Sequence, residues 1–130
     1  MRFVVPKDAA SWLSVEPGSD FPIQNLPFGI AFLGGRYELA TRLGDDAILL
    51  SPLAHLGILK WDEERISGDL PTQLQVDPEE LSDLRKAVFG LLSADSKPFD
   101  ELTKAQCIMP VAMLEMVVPK VGAFVDFYSG

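Results

Sequence analysis

The 130-residue chain has the length of one domain, and its 48% apolar and 23% charged residues are typical of a folded globular protein, which excludes intrinsic disorder and a coiled coil. Its formal charge of -8 disfavours nucleic acid and anionic membrane surfaces as partners. No stretch approaches the roughly 20 apolar residues of a membrane span, and the single cysteine, Cys107, favours a reducing, cytoplasmic location.

The first feature along the chain is a segment rich in proline and glycine, residues 15–27, which leaves no room for a regular helix or a central strand. Ile23, Leu26 and Phe28 supply apolar side chains within or next to it. We therefore predict an ordered, extended loop that packs against the domain.

A strand and a hairpin are predicted next. Residues 28–33 form an apolar run that ends at a glycine pair, as a buried strand followed by a turn would. Residues 36–43 alternate, which predicts a strand with one apolar and one solvent-exposed face, and residues 44–46 supply a turn before a second strand at residues 47–50. The residues on the two faces of the alternating strand are Tyr37, Leu39, Thr41 and Leu43, against Arg36, Glu38 and Arg42.

Capping residues indicate helices in the second half of the chain. Asp77, followed by a proline and two glutamates, is a strong start for a helix that reaches to about Ser93. Ser51 is expected to cap a short helix that ends near Gly57, and Ser96 to cap another within residues 99–106. Residues 62–76 are assigned no regular element, and the apolar but proline-interrupted residues 107–121 are expected to be strand or extended chain.

Short strands, frequent turns and few helices predict a mainly β fold with minor α: a small β-barrel or rolled sheet with one or two attached helices.

Few residues suggest chemistry by type and position. His55 is the sole histidine and is interpreted as an ordinary surface or core residue, because an isolated imidazole needs partners to act as an acid or base. Cys107 lies in an apolar run, where a thiol behaves as a small hydrophobe. The carboxylates at 45–46 and 62–64 are interpreted as solvated loop charges, and the methionines of the C-terminal run as core or interface packing.

Two segments carry a family resemblance. Residues 19–29 read Ser-Asp-Phe-Pro-Ile-Gln-Asn-Leu-Pro-Phe-Gly and resemble the opening motif of the fumarylacetoacetases, where a near-identical string leads into the first barrel strand. Gly122 and the string Asp126-Phe127-Tyr128-Ser129 resemble the segment that joins the amino-terminal and catalytic domains of that family. The resemblance implies an SH3-like barrel at residues 1–120 and the start of the linker or catalytic domain at residues 121–130.

The resemblance also implies an activity for a full-length parent enzyme. Members of the family hydrolyse the carbon-carbon bond of fumarylacetoacetate to fumarate and acetoacetate, in tyrosine and phenylalanine catabolism, as metal-dependent homodimers. Asp126 matches a metal-binding aspartate, with Ca²⁺ or Mg²⁺ as the expected ion, and Tyr128 matches a substrate-contacting tyrosine. The catalytic histidine and the remaining metal ligands are expected beyond residue 130, so we expect the 130-residue chain alone to be inactive and metal-free.

Two alternatives stay open. The chain could be a free-standing, non-catalytic binding or dimerisation module, or part of a hydrolase that acts on another diketo acid.

Overall fold

A computed structural model describes residues 5–70, residue 74 and residues 77–117. Over these residues an antiparallel sheet carries several attached helices, which confirms the predicted mainly β fold with minor α. The elements in chain order are β1 (Phe28–Leu33), β2 (Arg36–Leu43), β3 (Asp46–Leu49), α1 (Leu50–His55), α2 (Glu63–Ile66), β4 (Ser67–Gly68), α3 (Pro78–Leu92), α4 (Glu101–Cys107), β5 (Ile108–Pro110) and β6 (Glu115–Val117).

The strands β1, β2 and β3 form an antiparallel meander, as the sequence predicted. Gly34 and Gly35 have φ angles of +60° and +81°, and this left-handed backbone makes the tight β1–β2 turn that glycine accommodates without steric penalty. Gly44, with φ +62°, begins the turn into β3. The predicted strand and hairpin are therefore both confirmed.

One face of the meander packs against the helices. Ile30, Leu39 and Ile48 are fully buried on this face, in the same cluster as Leu84 and Val88 of α3. Because residues two apart along a strand share a face, all three strands contribute apolar side chains from one face to the cluster that also contains α3. This cluster is the main core of the protein.

The other face of β2, predicted to be exposed to solvent, is partly covered. Ala40 is fully buried there, and Glu38 and Arg42 are half-buried. The Ser51 hydroxyl, at the start of α1, donates a hydrogen bond to Glu38, and the Arg42 guanidinium lies 3.8 Å from the centre of the Phe21 ring. The prediction of a solvent face was wrong here because the covering groups come from distant parts of the chain.

The chain crosses this second face through a 3₁₀ helix, Val111–Met113. Val111 and Leu114 are buried in a second apolar cluster with three alanines and one leucine of three neighbouring strands. The sheet residues of this cluster are Ala31, Ala40, Ala47 and Leu49.

This crossing requires a strongly curved sheet. The strand order is β5-β3-β2-β1-β6, so consecutive strands β5 and β6 lie at opposite edges of the path. In a flat sheet those edges would be about 19 Å apart, since neighbouring strands lie about 4.8 Å apart. The five residue steps from Pro110 to Glu115 span at most about 17 Å when fully extended, and the 3₁₀ helix shortens them further. The sheet therefore rolls towards the second cluster, as in a barrel, although no pairing of β5 with β6 closes it among the described strands.

The helix α3 has the predicted amphipathic form. The Asp77 carboxylate accepts a hydrogen bond from the backbone N–H of Glu80, and Pro78 occupies the first turn. Its buried side chains are Leu81, Ser82, Leu84, Val88 and Leu92.

The N-terminal segment, around Trp12, packs against the C-terminal end of α3. The Trp12 indole N–H donates to the carbonyl oxygen of Leu91 at 2.8 Å, and the Trp12 ring meets the Phe99 ring edge-on with centroids 4.9 Å apart. The predicted packing of the irregular segment 15–27 against the domain is confirmed, because Ile23 and Leu26 are buried in the main core.

Three local predictions were wrong. Residues 62–76, assigned no regular element, contain α2 and β4. Asp100, and not Ser96, caps α4, because its carboxylate accepts from the Thr103 N–H at 2.8 Å. Ser51 lies within α1 and makes no cap hydrogen bond, since its hydroxyl donates to Glu38 instead.

No helix among the described residues is both long and apolar enough to cross a bilayer.

Candidate functional site

The residues to which the family resemblance assigns roles, Asp126 and Tyr128, lie outside the described residues. The domain boundary expected at residues 120–121 lies there as well. Among the described residues, the groups that could bind or react are a histidine, a polar cleft, several carboxylates and a cysteine.

His55 lies at the C-terminal end of α1, beside the first residue of α2. Its Nδ1 is 3.3 Å from a carboxylate oxygen of Glu63, and the two side chains are 75% and 45% exposed. A carboxylate can orient an imidazole for acid-base catalysis, but the proton to be moved must lie within hydrogen-bond reach. Glu63 is the partner that the described structure shows, and both side chains are substantially exposed, so His55 is a surface histidine in a solvated pair.

A polar cleft of about 530 Å³ lies next to this pair. It forms because β4 pairs with the start of β2, with Gly68 opposite Tyr37, and so brings α2 beside the strand. Arg65 connects α2 to α3 through a 2.6 Å ion pair with Glu80. The residues that line the cleft are Arg36, Glu63, Glu64, Ser67, Gly68 and Asp69.

The carboxylates of this region do not assemble into a metal centre. Within residues 5–70, 74 and 77–117 no group of three or more metal-binding side chains comes together. Ca²⁺, for example, binds about six to eight oxygen ligands, so carboxylates that lie apart from one another do not hold it. Asp62 instead caps α2 through the N–H of Glu64, and Asp45 pairs with Arg42 at 3.5 Å.

Cys107, at the end of α4, is fully buried in the main core. Burial raises the pKa of its thiol to about 12, because the charged thiolate is poorly solvated there. At neutral pH the thiol is therefore protonated and weakly nucleophilic. The interpretation of Cys107 as a small hydrophobic residue of the core is confirmed by its burial.

The motif at residues 19–29 makes several hydrogen bonds between its side chains and the backbone of the N-terminal segment. The Gln24 side-chain amide contacts three carbonyl oxygens of residues 6–9, the shortest of them at 2.8 Å from Ala9. The Asn25 amide donates to the carbonyl oxygen of Asp20 at 2.7 Å, and the Phe21 N–H donates to the Ser19 hydroxyl at 3.1 Å. Each of these polar side chains satisfies backbone groups that no sheet or helix provides for.

The second half of the motif sets the entry into β1. Leu26 is fully buried with φ +38°, a conformation that turns the chain at a cost which its burial offsets. Thr41, across the sheet, donates its hydroxyl to the Pro27 carbonyl oxygen at 2.8 Å. Arg85 of α3 donates to the Leu26 carbonyl oxygen at 3.3 Å and lies 5.2 Å from the centre of the Phe28 ring.

These contacts give the motif a folding role. Its polar groups are used in loop and strand-entry contacts. The partners Thr41 and Arg85 were not predicted from the sequence, because no local pattern marks residues that lie far along the chain. Arg85 is 59 residues from the carbonyl oxygen to which it donates.

Comparison with curated proteins finds the same family that the motif indicates. A fumarylacetoacetase of Oryza sativa subsp. japonica is 31% identical over 135 aligned residues, which cover 91% of this chain and 30% of that protein. A fumarylacetoacetase of Dictyostelium discoideum is 28% identical over 128 residues, which cover 92% of this chain and 30% of that protein. No family model matches the chain.

The resemblance to fumarylacetoacetases therefore extends over nearly the whole chain. The chain spans less than a third of the length of these relatives.

Proposed function

We propose that this chain is the amino-terminal domain of a fumarylacetoacetase, an enzyme that hydrolyses fumarylacetoacetate to fumarate and acetoacetate. The observation that carries the proposal is the similarity to two fumarylacetoacetases over about nine tenths of the chain. The structure adds a physical reason for the motif at residues 19–29, since its side chains build the loop that leads into the rolled sheet.

In this proposal the described domain is a scaffold and the chemistry takes place elsewhere in the enzyme. Asp126 supplies one carboxylate ligand to Ca²⁺ or Mg²⁺, and the Tyr128 hydroxyl donates a hydrogen bond to an oxygen of the diketo acid substrate. The bound cation supplies Lewis-acid stabilisation of developing negative charge. One carboxylate does not satisfy such a cation, so the other ligands and the general base come from sequence outside this chain.

The wider context of the proposal follows from the same family. The parent enzyme acts as a cytoplasmic homodimer in tyrosine and phenylalanine catabolism, and the 130-residue chain alone has no activity.

The test compares the full product of the encoding gene with three of its variants, using the rate of fumarylacetoacetate hydrolysis. Asp126→Asn is expected to lower kcat/KM by at least about 100-fold and to weaken binding of Ca²⁺ in titration calorimetry. Tyr128→Phe is expected to raise KM more than it lowers kcat, since it removes one substrate hydrogen bond. Asp100→Asn, a change at a helix cap of the described domain, is the matched control and leaves the rate unchanged.

The outcome that contradicts the proposal is equally specific. A folded full product that does not hydrolyse fumarylacetoacetate overturns it, and hydrolysis of a different diketo acid by that product supports the substrate alternative. Full activity in the Asp126→Asn variant would remove the metal role assigned to this residue.

A non-catalytic binding or dimerisation module remains the second candidate. The observation that favours it is that the described residues between 5 and 117 contain two apolar clusters, while their side chains form no group of three or more metal-binding residues. A gene product that ends at residue 130 and forms a dimer or a defined complex in size-exclusion chromatography with light scattering would support the module. A gene product of that length that stays monomeric and forms no complex would contradict the module.

A further inference from the structure

We draw no further inference here: the strongest candidate, the exposed apolar tip formed by Pro110, Ala112 and Met113 on the segment that joins β5 to β6, carries nothing because nothing in the structure shows what covers it.

Discussion

Leu26 combines a left-handed backbone with complete burial of its side chain. The left-handed conformation costs a non-glycine residue about 1–2 kcal/mol, whereas removal of a buried leucine side chain costs about 2–5 kcal/mol. Burial is the larger effect, which explains why a leucine is stable at a position that suits glycine.

At position 26 a glycine variant should be more stable than an alanine variant, which is the reverse of the usual order. Both Leu26→Ala and Leu26→Gly should lower the free energy of unfolding, but the glycine variant should be the more stable of the two because it alone relieves the backbone strain. Urea unfolding measures the difference. The same pair at Leu43, which is buried in β2, should show the usual order with alanine more stable. An alanine variant that is the more stable at both positions would show that the backbone at Leu26 is not strained.

Cys107 gives a pH-dependent prediction. Its pKa is raised to about 12 in the folded protein, so the folded state keeps the proton at pH values where the unfolded chain loses it. The thiol therefore contributes stability that is fully present below the unfolded pKa of about 8.5 and is lost as the pH rises towards 12.

Above pH 9 the free energy of unfolding, measured in urea, should fall by up to about 1.4 kcal/mol per pH unit. Cys107→Ala is the control, because it lacks the thiol but shares every other titrating group. The gap in stability between the two proteins should narrow as the pH rises. A constant gap from pH 7 to pH 11 would contradict the buried, protonated state.

At the scale of the element, the short helix α4 depends on its cap. The hydrogen bond from the Thr103 backbone N–H lowers the pKa of Asp100 below its usual value, with a further contribution from the Thr103 side chain. A lowered pKa means that the stabilisation is present above the unfolded pKa of about 3.9 and is lost as the pH falls through the folded value.

Asp100→Asn removes the negative charge but keeps a capping side chain, since asparagine caps helices about as well as aspartate. We expect the variant to be slightly less stable than the original protein at pH 7 and the difference to disappear as the pH falls through the lowered pKa of Asp100, as followed by thermal unfolding. A difference that persists unchanged at low pH would exclude the carboxylate as its cause.

Elements with strong local signals were predictable from the sequence. The meander has glycine turns between apolar strands, and α3 has a cap and a helical apolar stripe, so short-range patterns specify both. The elements α2 and β4 were missed because they are four and two residues long, too short to show a periodic pattern, and β4 exists through its pairing with β2. The buried second face of β2 was missed for a related reason, since Val111 and Leu114, which pack over it, lie about 70 residues further along the chain.

At the scale of the whole molecule, the rolled sheet leaves little space inside the second cluster. Ala31, Ala40 and Ala47 are all fully buried where the crossing segment approaches the sheet. Small side chains are required there because the 3₁₀ helix passes close to the strands.

Ala40→Leu should therefore lower the free energy of unfolding by about 1–3 kcal/mol through overpacking, as measured by urea unfolding. Ala112→Leu is the matched control, because Ala112 belongs to the crossing segment but is exposed, and its change should stay within about 0.5 kcal/mol. Equal effects of the two substitutions would contradict the tight approach of the segment to the sheet.

The candidate site shows the limit of sequence reasoning most clearly. Asp126 and Tyr128 were assigned by resemblance to a family motif, and their roles stay predictions because both residues lie outside the described part of the chain. The polar cleft beside Glu63 was not predicted, since it requires α2 and β4 to meet β2. A pattern of residue types does not specify such a meeting of distant segments.

The strand order has a consequence for how the protein folds. The meander can form as soon as residues 28–49 have left the ribosome, but β5 and β6, which flank its two edges, are synthesised some 60 residues later. Until then both edges present unpaired backbone N–H and C=O groups, which are templates for pairing with other chains. The interval between the synthesis of β3 and that of β5 is therefore when a nascent chain most needs protection from aggregation.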